Sequence, residues 1–337
     1  MISPAELISR YPLDESDRTF IDYCRRQTAA ILDNDDSRLL VIAGPCSLHD
    51  LEGAKEYAYK LKELAEDLKE KAFIVMRAYF DKPRSSLGWK GLLNDPDLDG
   101  TCDLDKGLCL SREFLHFLVK EQIPAACEFL DPFAPRYFED LITWGCIGAR
   151  TSTSQTHRQI ASGLGMPVGF KNHTDGNLES CVFGAGAACH PQSFLSINQN
   201  GIASMQKTAG NKNAHIVLRG GAGRINYDAA SVHYALELLR HEGLPERLLI
   251  DLAHDNSGKR WEGQVDAFET VLEQIAAGNN MIRGILLESY LEAGRQLLSE
   301  NLRYGVSITD PCMGWEMTKK LLHSLVPALC PVEAAVL

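Results

Sequence analysis

Leu39-Leu40-Val41-Ile42-Ala43-Gly44, followed at once by Pro45-Cys46, is a continuous apolar run rather than an alternating one, as expected of a strand buried on both faces. Seven more runs of this kind follow, each stopping on a charged or metal-competent residue. Phe73 to Met76 ends on Arg77, Pro124 to Cys127 on Glu128, Cys146 to Ala149 on Arg150, and Pro167 to Phe170 on Lys171. His215 to Leu218 ends on Arg219, Leu248 to Ala253 on His254, and Ile282 to Leu287 on Glu288. Helical stretches separate the runs, which predicts an α/β fold, a (β/α)8 TIM barrel. The carboxyl ends of barrel strands meet at one mouth, where the chemistry of such enzymes lies. The eight endings are therefore expected to face one another.

Length and composition agree. The chain has 337 residues, and α/β barrels run past about 250 residues as one domain. A single catalytic domain over 1–337 is expected, with an N-terminal extension over 1–37 and an inserted β-hairpin over 193–211. Hydrophobic residues make up 45% and charged residues 23%, ordinary for a soluble protein, and no apolar run nears the roughly 18 residues of a membrane span. Met1 to Pro12 lacks a basic start followed by a hydrophobic stretch, so no signal peptide is expected. The ten cysteines are scattered without a Cys-x-x-Cys pair, which reads as reduced thiols in a cytoplasmic protein. A net charge of −11 argues against nucleic acid or an anionic membrane as partner.

Between the runs, Ser16 is the expected N-cap of a helix carrying Phe20, Cys24 and Ile31, packed under or beside the barrel. Leu51 to Glu70 places Ala54, Ala58, Leu61, Ala65 and Leu68 at helical spacing. Two connections break the rhythm. Tyr79 to Leu110 is long and rich in Pro, Gly and Asp, a loop over the mouth or a lid. Between Lys171 and Arg219, the segments Ser193 to Asn198 and Ile202 to Thr208 flank Asn200-Gly201, a hairpin signal. Such an insertion suggests a regulatory or subunit contact.

Two constellations carry chemistry. Arg77, Arg150, Lys171 and Arg219 end strands, with Lys82 and Arg84 just beyond the second. Arg forks and Lys point charges hold phosphate and carboxylate groups. A single Arg at such a place most often pairs with a neighbouring acid, but six cations around one partly dry mouth would repel by several kcal/mol unless anions join them. Anionic substrates are expected, with more than one phosphate. The second constellation is Cys46, His254, Glu288 and Asp310. A thiolate, an imidazole and two carboxylates suit a first-row transition metal, because sulfur is a poor ligand for Mg²⁺ or Ca²⁺. Mn²⁺, Fe²⁺, Co²⁺ and Zn²⁺ all remain open. Gly220-Gly221-Ala222-Gly223 lacks the spacing of a P-loop and reads as a flexible turn beside a phosphate.

The strings Gly44-Pro45-Cys46-Ser47-Leu48-His49-Asp50, Met76-Arg77-Ala78-Tyr79-Phe80-Asp81-Lys82-Pro83-Arg84-Ser85-Ser86 and Gly88-Trp89-Lys90-Gly91 resemble type I 3-deoxy-D-arabino-heptulosonate 7-phosphate (DAHP) synthase. So do Gly148-Ala149-Arg150-Thr151, Pro167-Val168-Gly169-Phe170-Lys171-Asn172, Leu218-Arg219-Gly220-Gly221 and Ser307-Ile308-Thr309-Asp310. The likeness runs in order from about Arg38 to Leu322. It implies the first committed step of the shikimate pathway, in which phosphoenolpyruvate and erythrose 4-phosphate give DAHP and phosphate. It further implies that Cys46, His254, Glu288 and Asp310 bind the divalent metal. Arg150, Lys171 and Arg219 would hold the phosphate of phosphoenolpyruvate with Glu128 alongside, Arg77 and Lys82 its carboxylate, and Arg84 and Ser85 the phosphate of the erythrose. Catalytic roles fall to Lys82, His254 and Cys46, with Lys82 or a water on the metal as proton donor to the new alkoxide.

Regulated members carry a longer acidic N-terminus that reaches a neighbouring subunit and helps the hairpin form an inhibitor pocket. Met1 to Arg10 leads almost directly into the first helix here, and Gly165 stands near that pocket where Ser is more usual, so weak feedback inhibition is expected. A homodimer or homotetramer is the expected assembly. The sister reaction on arabinose 5-phosphate is the near alternative, disfavoured by Lys82-Pro83-Arg84-Ser85; a non-catalytic phosphate-binding barrel is the distant one.

Overall fold

A computed structural model of the chain describes residues 1–84 and 87–329. Its ten strands are β1 (Leu39–Gly44), β2 (Ala72–Arg77), β3 (Ala125–Glu128), β4 (Trp144–Ile147), β5 (Val168–Lys171), β6 (Ser193–Ile197), β7 (Ala203–Lys207), β8 (His215–Leu218), β9 (Leu248–Asp251) and β10 (Ile282–Glu288). Eight of them close into a parallel barrel in the order β1-β10-β9-β8-β5-β4-β3-β2. The closing pairs flank β1: Leu40 aligns with Gly284 of β10 on one side and with Phe73 of β2 on the other.

Burial on both faces explains the unbroken apolar runs. The pleat sends Leu40, Ile42, Val75, Ala126, Val217, Leu249 and Leu286 into one cluster, which fills the barrel lumen. Their neighbours Val41, Ala43, Ile74, Met76, Ile216, Ile250 and Leu287 join the larger cluster beneath the helices. Each fully buried aliphatic side chain contributes about 1.5–3 kcal/mol. The N-terminal helix Glu15–Asp33 plugs the lower end, since its Ile31 and Leu32 belong to the lumen cluster.

That helix starts two residues earlier than expected. Asp14, not Ser16, is its N-cap, because the Asp14 carboxylate accepts from the Asp17 N–H at 2.9 Å while Asp17 accepts from the Asp14 N–H at 2.9 Å. A reciprocal box of two carboxylates outcompetes one hydroxyl, and the Ser16 hydroxyl donates to Asp14 instead, at 2.7 Å. A short helix, Pro4–Arg10, precedes it.

Two strand ends differ from the runs read in the sequence. β4 covers Trp144–Ile147, so Arg150 sits in the following turn, closed by the Thr151 N–H on the Gly148 carbonyl at 3.0 Å. β9 stops at Asp251, and His254 opens a 3-10 turn (His254–Ser257) with φ 60°, a left-handed conformation uncommon for a non-glycine residue. In the connection read from Tyr79 to Leu110, the end is helical: Asp103 caps helix Leu104–Lys120. The connection folds back on the barrel, with the Lys82 N–H on the Lys90 carbonyl at 2.8 Å. Gly91 is required there: its φ is 109°, and a Cβ would meet the Phe80 carbonyl oxygen at 2.2 Å. Asp81 and Lys82 are thereby held at the mouth.

β6 and β7 form the hairpin outside the barrel, Leu195 opposite Met205. Its loop spans 198–202, and the Asn198 side chain accepts from the N–H groups of Asn200 and Ile202 at 2.9 and 3.1 Å. Every described cysteine is free. Among the described residues no helix is long and apolar enough to cross a membrane.

Candidate active site

The strand ends and their loops enclose a cavity of about 450 Å³. Arg77, Lys82, Arg84, Glu128, Arg150, Lys171, Arg219, Cys46, His254, Glu288 and Asp310 all line it. Ser85, singled out in the sequence, lies outside the described residues. In a chain of net charge −11, the lining cations outnumber the lining carboxylates seven to five.

Cys46, Glu288 and Asp310 each offer a ligand atom within 4.8 Å of the others. Glu288 ends β10, and its backbone is clasped by the Gln264 amide, which accepts from the Glu288 N–H at 2.8 Å and donates to its carbonyl at 3.0 Å. Asp310 arrives on the long loop after β10, anchored where the Thr309 hydroxyl meets Ser47 at 2.8 Å. His254 falls outside the 4.8 Å group, but its Nε2 stands 3.7 Å from Glu288 Oε1. A thiol, two carboxylates and an adjacent imidazole are a donor set that suits a transition metal. Lys82 Nζ is wedged among these donors, 2.8 Å from Cys46 Sγ and 2.6 Å from Asp310 Oδ2. Burial and the neighbouring Glu288 push the Cys46 thiol up to about 12. Burial would also push the Asp310 carboxyl up, but Lys82 holds it well below the usual carboxylate range.

Beside these donors, Arg77 is almost fully buried. Its Nε donates to the Pro45 carbonyl at 3.1 Å, and its Nη2 donates to the Cys46 carbonyl at 3.0 Å and to Glu288 at 2.8 Å. Its Nη1 has no partner among the described residues. Tyr79 is the floor for two cations, with the Arg77 guanidinium 3.9 Å and the Lys171 ammonium 5.5 Å from its ring centre. Lys171 lies 3.1 Å from Asp251 and 3.5 Å from Glu128. Arg219 lies 2.5 Å from Asp255, and Arg84 Nε donates to the Trp89 carbonyl at 2.8 Å.

The expectation of six cations without acidic partners is corrected here. Arg77, Lys82, Lys171 and Arg219 each meet a carboxylate, because a buried cation without a counter-charge is too costly to assemble. Asp251 and Asp255 escaped the sequence reading, although Asp251 interrupts an otherwise apolar run. Lys259, also on the wall, escaped it too. The turn at Gly220 is anchored at its start: Asn226 Oδ1 accepts from the Gly220 N–H at 2.7 Å, and Asn172 Oδ1 from the Arg219 N–H at 2.8 Å.

Asp81 gives a pH signature. Burial, then Asp131 and Glu128, raise its carboxyl to about 7, against the hydrogen bond from Asn94. The folded state therefore holds this proton more tightly than the unfolded chain. Stability is fully present below the ordinary value of 3.8 and is lost as pH rises toward about 7. Asp81→Asn should gain stability over the wild type progressively across that window, by at most about 4 kcal/mol. Melting curves of both proteins at several pH values check this; a constant difference would contradict it.

Residues 17–323 match the family described as the DAHP synthetase I family. The chain is 45% identical over 331 residues to a phospho-2-dehydro-3-deoxyheptonate aldolase, Phe-sensitive, of Escherichia coli strain K12, covering 98% of this chain and 94% of that one. It is 44% identical over 342 residues to a phospho-2-dehydro-3-deoxyheptonate aldolase of Corynebacterium glutamicum, covering 99% and 93%. The solved structure of a phospho-2-dehydro-3-deoxyheptonate aldolase from Francisella tularensis SCHU S4 superposes with a TM-score of 0.96 at 41% identity, over 98% of this chain and 96% of that one.

Proposed function

The chain belongs to the DAHP synthetase I family, and from that premise we propose how its residues divide the work. It is a DAHP synthase, condensing phosphoenolpyruvate with erythrose 4-phosphate and water to give DAHP and phosphate, the first step of aromatic amino acid biosynthesis. Cys46, His254, Glu288 and Asp310 hold one divalent transition metal, Mn²⁺, Fe²⁺, Co²⁺ or Zn²⁺. The single observation behind this is the 4.8 Å cluster of Cys46, Glu288 and Asp310 with His254 against Glu288. When bound, the metal supplies Lewis acidity to the aldehyde oxygen of erythrose 4-phosphate.

Arg150, Lys171 and Arg219 take the phosphate of phosphoenolpyruvate, with Glu128 keeping Lys171 in place. Arg77 and Lys82 take its carboxylate, a role supported by the unmet Nη1 donor of Arg77. Arg84, with Ser85, takes the phosphate of the second substrate. C3 of phosphoenolpyruvate then attacks the aldehyde, and Lys82 gives its proton to the new alkoxide. Water adds at C2, and C–O cleavage releases phosphate.

The whole chain serves as one catalytic domain, with 1–37 and 193–211 as additions. Leu195 and Met205, paired across the hairpin and 76% and 69% exposed, support a homodimer or homotetramer through that face. The crevice where the hairpin meets Ile160, Gly163 and Leu164 holds only about 10 Å³, room for about one water. An aromatic amino acid would have to displace side chains there, which supports weak feedback inhibition. The free cysteines support a cytoplasmic setting.

Phosphate release on mixing both substrates with Mn²⁺ is the test. Rapid release with erythrose 4-phosphate and little with arabinose 5-phosphate is expected. Equal rates, or none, would overturn the assignment.

A further inference from the structure

Asp251, the last residue of β9, is fully buried, and its two carboxylate oxygens do different things. Oδ1 accepts from the Ala253 N–H at 3.1 Å, which fixes the carboxylate against its own loop. Oδ2 stands between two groups that serve different ligands: His254 Nδ1 at 3.0 Å and Lys171 Nζ at 3.1 Å. Resting on the roles given above to His254 and Lys171, we propose that Asp251 is a positioning residue that couples binding of the phosphoenolpyruvate phosphate to binding of the metal.

The contact between Oδ2 and Nδ1 is ionic rather than hydrogen-bonded, since neither atom has a hydrogen-bond partner among the described residues, and a carboxylate 3.0 Å from Nδ1 draws the imidazole proton to that nitrogen. The lone pair of Nε2 is then left facing Glu288 and the metal donors. Lys171 is shared, because its ammonium also approaches Glu128 at 3.5 Å. A phosphate arriving at Lys171 draws that ammonium away from Asp251. Oδ2, held by the anchored Oδ1, cannot swing to a new partner and turns its charge wholly onto His254 Nδ1. An imidazole held at Nδ1 by the full carboxylate charge presents its Nε2 lone pair to the metal more strongly. The effect runs both ways, since whatever factor phosphate lends the metal, the metal lends phosphate.

The test is titration of Mn²⁺ into the full-length protein, read by the electron paramagnetic resonance of free Mn²⁺, with and without inorganic phosphate. Wild type should bind Mn²⁺ about 5-fold or more tightly when phosphate is present. Asp251→Asn, checked for folding by circular dichroism, should bind Mn²⁺ about 10–100-fold more weakly. Phosphate should then shift its affinity by less than about 2-fold, far below an allosteric coupling. Lys171→Met, which removes the competing ammonium, should bind Mn²⁺ without phosphate as tightly as wild type does with it.

A wild type indifferent to phosphate overturns the coupling, even if Asp251→Asn fails to fold. An Asp251→Asn protein with wild-type affinity and wild-type coupling overturns it equally, as does weakened binding in Lys171→Met. A wild type that binds no Mn²⁺ sinks the metal assignment itself, and this inference with it.

Discussion

Replacing Cys46 by Ala is expected to leave a folded barrel that retains no transition metal after dialysis and condenses its substrates at a rate lower by on the order of 10³-fold or more. The sulfur is the one soft donor in the cluster, 3.6 Å from Asp310 Oδ2, and without it only two carboxylates and one imidazole remain, a set that holds a transition metal less tightly. Loss of one buried sulfur should cost about 1–2 kcal/mol of stability, so activity and folding separate cleanly. Since burial holds the thiol up near 12, it is protonated at neutral pH, and metal must displace that proton. Calorimetry in buffers of different ionisation enthalpy should show proton release on metal binding in wild type and less in Cys46→Ala. A metal-free Cys46→Ala enzyme with full activity would remove the metal from the account.

Arg77→Ala should damage both stability and catalysis. Arg77 and Glu288 form an ion pair in which both side chains are 2% exposed, and removing one member of such a pair costs about 3–5 kcal/mol. In a chain of this size that lowers the melting temperature by on the order of 5–10 °C. Its Nη1 is a buried donor without a partner among the described residues, and the role proposed above gives it the substrate carboxylate. Losing a charge-assisted bond of about 1.5–3 kcal/mol lowers kcat/KM by roughly 10- to 100-fold. Arg77→Lys keeps the charge but not the planar fork, so it should recover stability better than substrate affinity. Steady-state kinetics and thermal melts check both. Unchanged kcat/KM for phosphoenolpyruvate in Arg77→Ala would place the carboxylate elsewhere.

The barrel was legible because strands buried on both faces leave uninterrupted apolar runs, and β1 matches its run, Leu39 to Gly44, residue for residue. Strand ends were legible where a charge stops the run, as Lys171 and Glu288 do. They were not where the charge is itself buried. Asp251 at 0% exposure is tolerated inside the barrel because the Lys171 ammonium, 3.1 Å away, offsets its charge, and that partner comes from a distant segment that no local pattern connects. Pairing of cations with acids was hidden for the same reason: Arg77 and Glu288 are 211 residues apart. Arg150 was placed at the right mouth but on the wrong element, since Gly148-Ala149 continues the apolar composition after the ladder has ended. The N-cap at Asp14 was missed because Ser and Asp compete on equal terms until the residue at N3 is considered.

Eight distant strand ends forming one anion-binding cavity with one metal is the claim beneath all of this. The most direct measurement is an anomalous difference map from crystals grown with Mn²⁺ and phosphoenolpyruvate. The account predicts one strong peak bonded to Cys46 Sγ, His254 Nε2, Glu288 and Asp310, with the substrate phosphate on Lys171 and Arg219. A peak on any other donor set, or a phosphate bound away from that wall, would contradict it.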